Sequence, residues 1–173
     1  MAILPILKYP DPLLREKSQE VKLFDDDLKA LAADMGETML EAPGAGLAAP
    51  QVGRLLRMVV IAGAANDEDF DERVLALVNP RITWSGGEQV YNEGCLSVLD
   101  YNENVIRAQE VEVQAQDLNG RPVTIKADGR RAVILQHEID HLDGVLFLDR
   151  ISSLKRDIYK RKLKKIMKEP ADD

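Results

Sequence analysis

The chain has 173 residues, of which 45% are hydrophobic, and a formal net charge of -7. This length and composition predict one domain, residues 1–173, with its own hydrophobic core. The negative charge gives no general basis for nucleic-acid binding, which needs a basic surface. The sequence has no apolar run long enough to cross a bilayer and no secretion-signal pattern at its start. We therefore expect a soluble, cytoplasmic protein that does not enter a membrane.

The first part of the chain is predicted to be largely helical. Asp11 followed by Pro12 is typical of the start of a short helical turn. A longer helix is expected to begin at Asp25 or the residue after it, because leucine, alanine and methionine then recur at helical spacing. Pro43 ends this helical pattern. The small residues GAGLAAPQ, at 44–51, are expected to form a loop whose glycines allow close approach to a ligand.

Extended segments dominate the middle of the chain. Residues 57–62 (RMVVIA) and 74–80 (VLALVNP) predict two strands. The acidic segment between them, 64–73, is expected to be a solvated loop. Residues 81–97 are expected to be extended around a glycine turn, and the alternation across 111–127 predicts an antiparallel hairpin.

The last part of the chain predicts two more helices. The first contains the pattern HExxH at 137–141, and the second is a basic, amphipathic C-terminal helix at about 152–168. Together the elements predict an α+β fold in which antiparallel strands are wrapped around a central HExxH-bearing helix. The N-terminal helix and the C-terminal amphipathic helix complete the expected architecture.

The HExxH pattern predicts a metal site. His137 and His141 lie one turn apart on the same helix face, so their imidazoles can converge on one ion. A bound divalent ion lowers the pKa of a water to about 7, and the carboxylate of Glu138 can accept the proton of that water. A helix with two solvated histidines would show the same pattern. An adjacent apolar stripe, which would place the histidines at the border of the core, is formed by Ala132, Leu135, Ile139 and Leu142.

A third ligand must come from elsewhere, since catalytic zinc-type sites usually take three protein ligands. The chain contains 2 histidines, and both are in the motif. Phe147 stands where one protease class has a third histidine, and Glu169 lies in the basic tail. The remaining candidate is Cys95, whose thiolate suits zinc or ferrous iron. As the single cysteine it cannot form an intrachain disulfide, which agrees with a reducing compartment.

Three stretches together resemble the peptide deformylase family: GAGLAAPQ at 44–51, EGCLS at 93–97 and QHEIDHLDG at 136–144. The resemblance covers essentially the whole chain. It implies a single catalytic domain that removes the N-formyl group from the N-terminal methionine of nascent polypeptides and releases formate. It also implies that a metal-bound water attacks the formyl carbonyl. The residues and their spacing by themselves indicate only a Cys, His, His metal site with a carboxylate base.

The resemblance also implies roles for individual residues. Glu138 matches the general base and acid, while Gln51 and the backbone N–H of Leu96 match the groups that stabilise the oxyanion. The metal ligands are matched by Cys95, His137 and His141. The positions that line the substrate cleft in relatives correspond to Gly46, Tyr91, Glu93, Gly94, Val133 and Ile134. We therefore expect N-formyl-methionyl peptides and nascent chains as substrates.

The family resemblance implies one divalent ion, with Fe(II) expected in the cell and zinc, nickel or cobalt able to occupy the same ligands. The chain departs from the family's common residues at Ala45, Leu99 and Asn102. These departures affect how the part of the substrate beyond its methionine is bound. The metal ligands and the base are unchanged.

Two other functions would use parts of the same pattern. A zinc endopeptidase would use the same motif on internal peptide bonds, but the downstream ligand of such enzymes is missing here. A non-catalytic binding module would have no physical need for the cysteine, the glutamate and both histidines together. The basic segment beyond Ile151 is expected to contact ribosomal RNA, and the alternative is a helix that docks on the domain with solvated lysines.

Overall fold

The computed structural model describes residues 2–63 and 74–168, so the acidic segment 64–73 lies outside the described residues. The described helices are α1 (Asp26–Glu41), α2 (Gly129–Leu142) and α3 (Ser153–Lys168), with short 3-10 helices at Pro12–Arg15, Ala49–Val52 and Phe147–Arg150. The described strands are β1 (Gly46–Ala48), β2 (Met58–Ala62), β3 (Val74–Gly86), β4 (Gln89–Cys95), β5 (Val98–Arg107), β6 (Glu110–Gln116) and β7 (Pro122–Asp128). The predicted α+β class is confirmed.

Two aspartates begin the N-terminal helical elements as predicted. The Asp11 carboxylate accepts a hydrogen bond from the Leu13 backbone N–H at 3.0 Å. The Asp25 carboxylate accepts one from the Leu28 backbone N–H, also at 3.0 Å. Each cap satisfies a backbone donor that has no partner inside its own helix.

The strands form two antiparallel sheets in the described part of the chain. Five strands pair in the order β1-β2-β3-β6-β7, and β4 pairs with β5 in a separate two-stranded sheet. The hairpin predicted at 111–127 is β6 and β7, in which Val113 is opposite Ile125. The β4–β5 pair is an excursion between β3 and β6, and it carries the EGCLS stretch away from the larger sheet.

The five-stranded sheet is covered by a helix on each face. Met58 and Val60 of β2 pack with α1, whereas Val59 and Ile61 pack with α2. Because both faces of β2 are buried, the strand is apolar at successive positions and does not alternate. This explains why RMVVIA reads as one continuous hydrophobic run.

Helix α2 presents its apolar stripe to the sheet. Residues Ala132, Leu135, Ile139 and Leu142 are at most 6% exposed, and they pack with residues of β1, β2, β3, β6 and β7. The predicted stripe is therefore confirmed. The other side of α2 faces the β4–β5 pair, and this side carries His137 and His141.

A third cluster joins the C-terminal helix to the two-stranded sheet. Tyr159 and Leu163 of α3 are buried with Val98 and Val105 of β5 and with Phe147. The Tyr159 hydroxyl also donates a hydrogen bond to the backbone carbonyl of Leu99 at 3.1 Å. No helix among the described residues combines the length and apolar content needed to span a membrane.

The expected loop at 44–51 is wrong for residues 46–51. Gly46 pairs with Ile61 as part of β1, and Ala49–Val52 form a 3-10 helix. Leu47, Ala48 and Ala49 are fully buried, so this segment belongs to the hydrophobic core. A strand of three residues is too short to show a periodic pattern.

Two glycines with positive φ provide a matched test of the packing after α2. Gly144 has φ +74°, and a Cβ there would lie 2.3 Å from the Arg15 carbonyl oxygen. Gly53 has φ +83°, and a Cβ there would meet no atom within 4 Å. We expect Gly53→Ala to lower the free energy of unfolding by about 1–2 kcal/mol through backbone strain alone. Gly144→Ala should cost about 3 kcal/mol or more, since overpacking adds to the strain.

Urea unfolding of both variants and the unaltered protein measures this difference. Equal losses in the two variants would show that contact between Gly144 and Arg15 does not constrain the segment after α2.

Candidate metal centre and active-site cleft

The three predicted metal ligands converge in space. Cys95 Sγ lies 3.4 Å from His141 Nε2, and His141 Nε2 lies 3.2 Å from His137 Nε2. The three atoms all lie within 4.8 Å of one another. Among the cysteine, histidine and acidic side chains of residues 2–63 and 74–168, these three are the ones that lie close enough together to bind one metal ion.

The positions of these ligands follow from three local features. Helical spacing places His137 and His141 on one side of α2, with ring centroids 4.9 Å apart. Cys95 is the last residue of β4 and pairs with Val98 across the tight turn into β5. The two-stranded sheet therefore holds the thiol against the polar side of α2.

The chemistry of the donor set fits a divalent transition-metal ion. His137 Nδ1 lies 2.8 Å from a carboxylate oxygen of Glu93, which can only accept, so Nδ1 donates to Glu93 and Nε2 is the nitrogen directed at the other candidate ligands. Burial lowers the pKa of His141 well below its usual value, and the positive charges of His137 and Arg107 act in the same direction, so the His141 ring is neutral. A tetrahedral ion bound at about 2.0–2.3 Å separates its ligands by about 3.3–3.8 Å, close to the observed spacing.

A buried chain of ion pairs holds Glu93 in place. Arg107 donates to both Glu93 oxygens at 2.7 and 2.9 Å and to Asp140 at 2.7 Å. Arg150 donates to the same Asp140 carboxylate at 2.6 and 2.8 Å. Glu93 and Arg107 are each 4% exposed, so the pair is shielded from solvent. The network joins β4, β5 and α2.

The electrostatic balance keeps Glu93 ionised. Burial favours its neutral form, but the hydrogen bonds and charges of Arg107 and His137 outweigh burial and lower its pKa to about 2. An ionised Glu93 is a strong acceptor for the His137 ring. Its carboxylate thereby orients the imidazole toward Cys95 and His141.

Glu138 lies buried beside the same centre. Its Oε1 is 3.9 Å from His137 Nε2, and its side chain is buried. Burial raises its pKa to about 7. A Cβ at position 46 would lie 2.8 Å from Glu138 Cγ, so glycine is required at Gly46 for this approach.

Gln51 points its amide toward the candidate ligands. Its Oε1 accepts a hydrogen bond from the Ala48 backbone N–H at 2.9 Å, which fixes the orientation of the amide. Its Nε2 then lies 3.1 Å from Ser97 Oγ and 3.6 Å from Cys95 Sγ. The donor end of Gln51 therefore faces the cleft next to the thiol.

These residues line one cleft of about 380 Å³. All the proposed catalytic and substrate-binding residues border it, as do Cys95 and His137, while His141 is buried beneath. Further lining residues, to which the sequence assigned no catalytic or substrate-binding role, are Pro43, Gly44, Ala45, Asn92 and Arg130. Ala45 is the one predicted departure that borders the cleft. The Asn102 side chain instead packs on Gly94, where a Cβ would meet its Oδ1 at 2.3 Å.

Sequence reasoning also missed the residues that hold the site together: Ser97, Arg107 and Asp140. Asp140 lies inside the HExxH stretch, one residue before His141, and its charge on a helix beside the core was an available signal. Arg107 had no such signal, because its partners are 14 and 33 residues away in the chain.

The fold and cleft define a class of protein: an α+β chain whose HExxH helix and one cysteine converge on a candidate metal centre. Comparison with known proteins specifies the family. The profile of the family described as polypeptide deformylase matches residues 3–157. The peptide deformylase of Desulfotalea psychrophila is 49% identical over 165 residues, which cover 95% of this chain and 97% of that protein. That of Syntrophobacter fumaroxidans is 50% identical over 169 residues, or 98% of each chain.

Solved structures agree with the sequence comparisons. The crystal structure of a Legionella pneumophila peptide deformylase matches with a TM-score of 0.86 and 44% identity, covering 98% of this chain and 100% of that one. An Ehrlichia chaffeensis peptide deformylase, solved in complex with actinonin, matches with a TM-score of 0.89 and 39% identity over 98% of this chain and 100% of that one. The chain belongs to the peptide deformylase family. It is an enzyme, a metal-binding hydrolase of protein biosynthesis that acts on N-formyl-methionyl peptides.

The buried arginine provides a test of the network. In Arg107→Gln, the charges of Glu93 and Asp140 lose a buried partner, and we expect the free energy of unfolding to fall by about 3–5 kcal/mol. Arg150→Gln is the matched control, because Arg150 shares Asp140 but its side chain is 44% exposed. Its loss should cost about 0–1 kcal/mol.

Unfolding is measured in urea with a metal chelator present in every sample, so that metal affinity does not enter the comparison. If the free energy of unfolding falls by a similar amount in the two variants, Arg107 does not stabilise the network more than Arg150 does.

Proposed function

We propose that this enzyme removes the formyl group from the N-terminal methionine of nascent polypeptides in the cytoplasm and releases formate. In this proposal residues 1–173 act as one catalytic domain, with α2 as the central element around which the strands are arranged. The observation that carries the proposal is the convergence of Cys95 Sγ, His137 Nε2 and His141 Nε2 beside buried Glu138 in an open cleft.

Cys95, His137 and His141 would hold one divalent ion. We propose ferrous iron in the cell, with zinc, nickel or cobalt as substitutes, because a thiolate with two imidazoles suits all four. When bound, the ion lowers the pKa of a water and polarises a carbonyl. Three protein ligands leave a coordination position open for these tasks.

Glu138 is proposed as the general base and then the general acid. It accepts a proton from the water that adds to the formyl carbon, and it delivers a proton to the amide nitrogen as the C–N bond breaks. The products are formate and a free methionine amino group. A carboxyl whose pKa burial raises to about 7 is suited to both transfers at neutral pH.

Gln51 and the main chain at Leu96 are proposed to stabilise the oxyanion. The Gln51 amide is anchored by Ala48 and faces the cleft, 3.6 Å from Cys95 Sγ. The Leu96 N–H follows Cys95 directly in the chain. Donors held in place before the reaction need no reorganisation when negative charge develops, and losing one typically costs about 10²–10³ in rate.

The methionine side chain is proposed to occupy the apolar part of the cleft. Val133 and Ile134 supply the helix side of this pocket, and Tyr91 supplies the strand side. Gly46, Glu93 and Gly94 complete the lining. Glycine at two of these positions allows the side chains of Glu138 and Asn102 to lie against the backbone of the cleft.

Two substitutions distinguish the proposed ligand from the proposed base. Glu138→Gln keeps the thiolate and both imidazoles, so we expect metal content to persist while formate release falls by about 10²–10⁴-fold. Cys95→Ser removes the thiolate, so we expect both metal content and formate release to fall. The substrate is a short formyl-methionyl peptide, and its unformylated counterpart is the control for chain cleavage.

Proteins are purified without oxygen, and metal content is measured before activity. Lost metal in Glu138→Gln, or full metal content and turnover in Cys95→Ser, contradicts the assignment. Chain cleavage without formate indicates an endopeptidase. If iron gives no more activity than zinc in the anaerobic protein, the iron assignment fails.

We also propose that α3 contributes an electrostatic contact to the ribosome. One face of this helix is buried through Tyr159 and Leu163, while its lysines are exposed on a protein of net charge -7. Lys155 pairs with Glu103, but the later lysines have no ion pair within the described residues. A local basic surface of this kind suits RNA phosphates.

Replacing exposed lysines tests this contact without disturbing the buried face of α3. The test variant carries four Lys→Gln changes, at Lys160, Lys164, Lys165 and Lys168. The control variant carries four elsewhere, at Lys17, Lys22, Lys29 and Lys126. We expect only the first to weaken co-sedimentation with ribosomes at low salt, while both keep turnover of a short peptide. Equal co-sedimentation of the two variants would refute the contact.

A further inference from the structure

Arg130 is the one permanently positive residue among the described residues that line the active-site cleft. Its side chain is exposed, and it makes no hydrogen bond or ion pair with the rest of the described chain. The acidic lining residues do not neutralise it, because Glu93 is paired with Arg107 and Glu138 lies two turns further along α2. The cleft therefore contains an unpaired guanidinium.

The position of Arg130 follows from the face of α2 that borders the cleft. Val133, Ile134 and His137 lie three, four and seven residues after it, so all four share one side of the helix. Seven residues of helix span roughly 10 Å, which equals about three residues of extended peptide. A peptide whose formyl end is at the metal centre has its first few residues within the same span.

The backbone that carries Arg130 is held firmly. The Gln89 amide donates to the Gly129 carbonyl at 2.9 Å and to the Ala108 carbonyl at 3.0 Å. The Gly129 N–H donates to the Gln109 carbonyl at 3.0 Å. The start of α2 is thus tied to β4 and to the segment between β5 and β6, so the backbone next to Arg130 is fixed relative to the cleft.

A cation at this position opposes the local preference of the helix. The amino end of a helix carries partial positive charge, which favours acidic side chains and disfavours arginine. The first turn of α2 has no acidic residue. A charge that is unfavourable for its own helix and unpaired in the protein is expected where function requires it.

We propose that Arg130 is a specificity residue that selects formyl-methionyl peptides with an acidic side chain among the first three residues after methionine. The inference rests on the proposed deformylase function. Arginine presents a planar fork that matches a carboxylate, so an exposed guanidinium at the cleft can pair with an acidic side chain of the bound peptide. The substrates preferred by this enzyme are therefore nascent chains with aspartate or glutamate close to the initiator methionine.

The test uses the metal-loaded enzyme and formyl-methionyl pentapeptides with a C-terminal amide, so that no terminal carboxylate competes. Glutamate or glutamine is placed at the second, third or fourth residue, and kcat/KM is measured by formate release. We expect glutamate to exceed glutamine by about two- to fivefold at one of these positions, as is usual for a solvent-accessible ion pair. The ratio should approach one in high salt.

Three variants test whether Arg130 causes this preference. Arg130→Gln should bring the ratio to about one, and Arg130→Lys should keep part of it, since lysine retains the charge without the fork. Arg121→Gln, in the β6–β7 turn, removes the same charge from an exposed site and should leave the ratio unchanged.

The outcomes separate this inference from the function on which it rests. The same glutamate-to-glutamine ratio in the unaltered enzyme and in Arg130→Gln, at all three positions, overturns the inference alone. So does an equal change of kcat/KM for every peptide, which would mean that Arg130 only borders the methionine pocket. No formate from any peptide would overturn both the inference and the proposed function.

Discussion

The buried guanidinium of Arg107 is the interaction on which the arrangement of the site depends. Arg107 is the last residue of β5. Its guanidinium donates two hydrogen bonds to Glu93 of β4 and one to Asp140 of α2. A buried charge is costly unless its partners are complete, and here two carboxylates surround the cation. Because Glu93 also accepts from the His137 ring, the same pair links the two-stranded sheet to the candidate metal ligands.

Helix α2 contributes both to the hydrophobic core and to the candidate metal centre. One stripe packs on the five-stranded sheet, and the other places two histidines and a glutamate at the candidate metal centre, where each is at most 8% exposed. The ring of His137 is supported by Glu93, and the Gln51 amide by Ala48 and Ser97. Local preferences are broken at this cleft, where Glu138 is a buried carboxyl and Arg130 a cation at a helix amino end, as expected for a functional surface.

Much of the fold was predictable from local patterns. The caps at Asp11 and Asp25, the apolar stripe of α2 and the β6–β7 hairpin were all expected from short-range spacing. The strand β1 was missed because a strand of three residues is too short to show a period. Ser97 and Arg107 were missed because their roles depend on partners far along the chain, and an arginine in an extended segment looks the same whether it is solvated or buried.

The sequence by itself determined which chemical groups are available and which of them share a helix face. Two histidines, a glutamate between them and one cysteine limit the candidate ligand set by composition, and the helical period aligns the histidines without any tertiary contact. Only the tertiary structure decided that Cys95 meets His141 across 46 residues, that Arg107 joins Glu93 to Asp140, and that Arg130 borders the cleft. These outcomes depend on sheet register and helix packing, which arise from interactions between distant segments and leave no periodic trace in the chain.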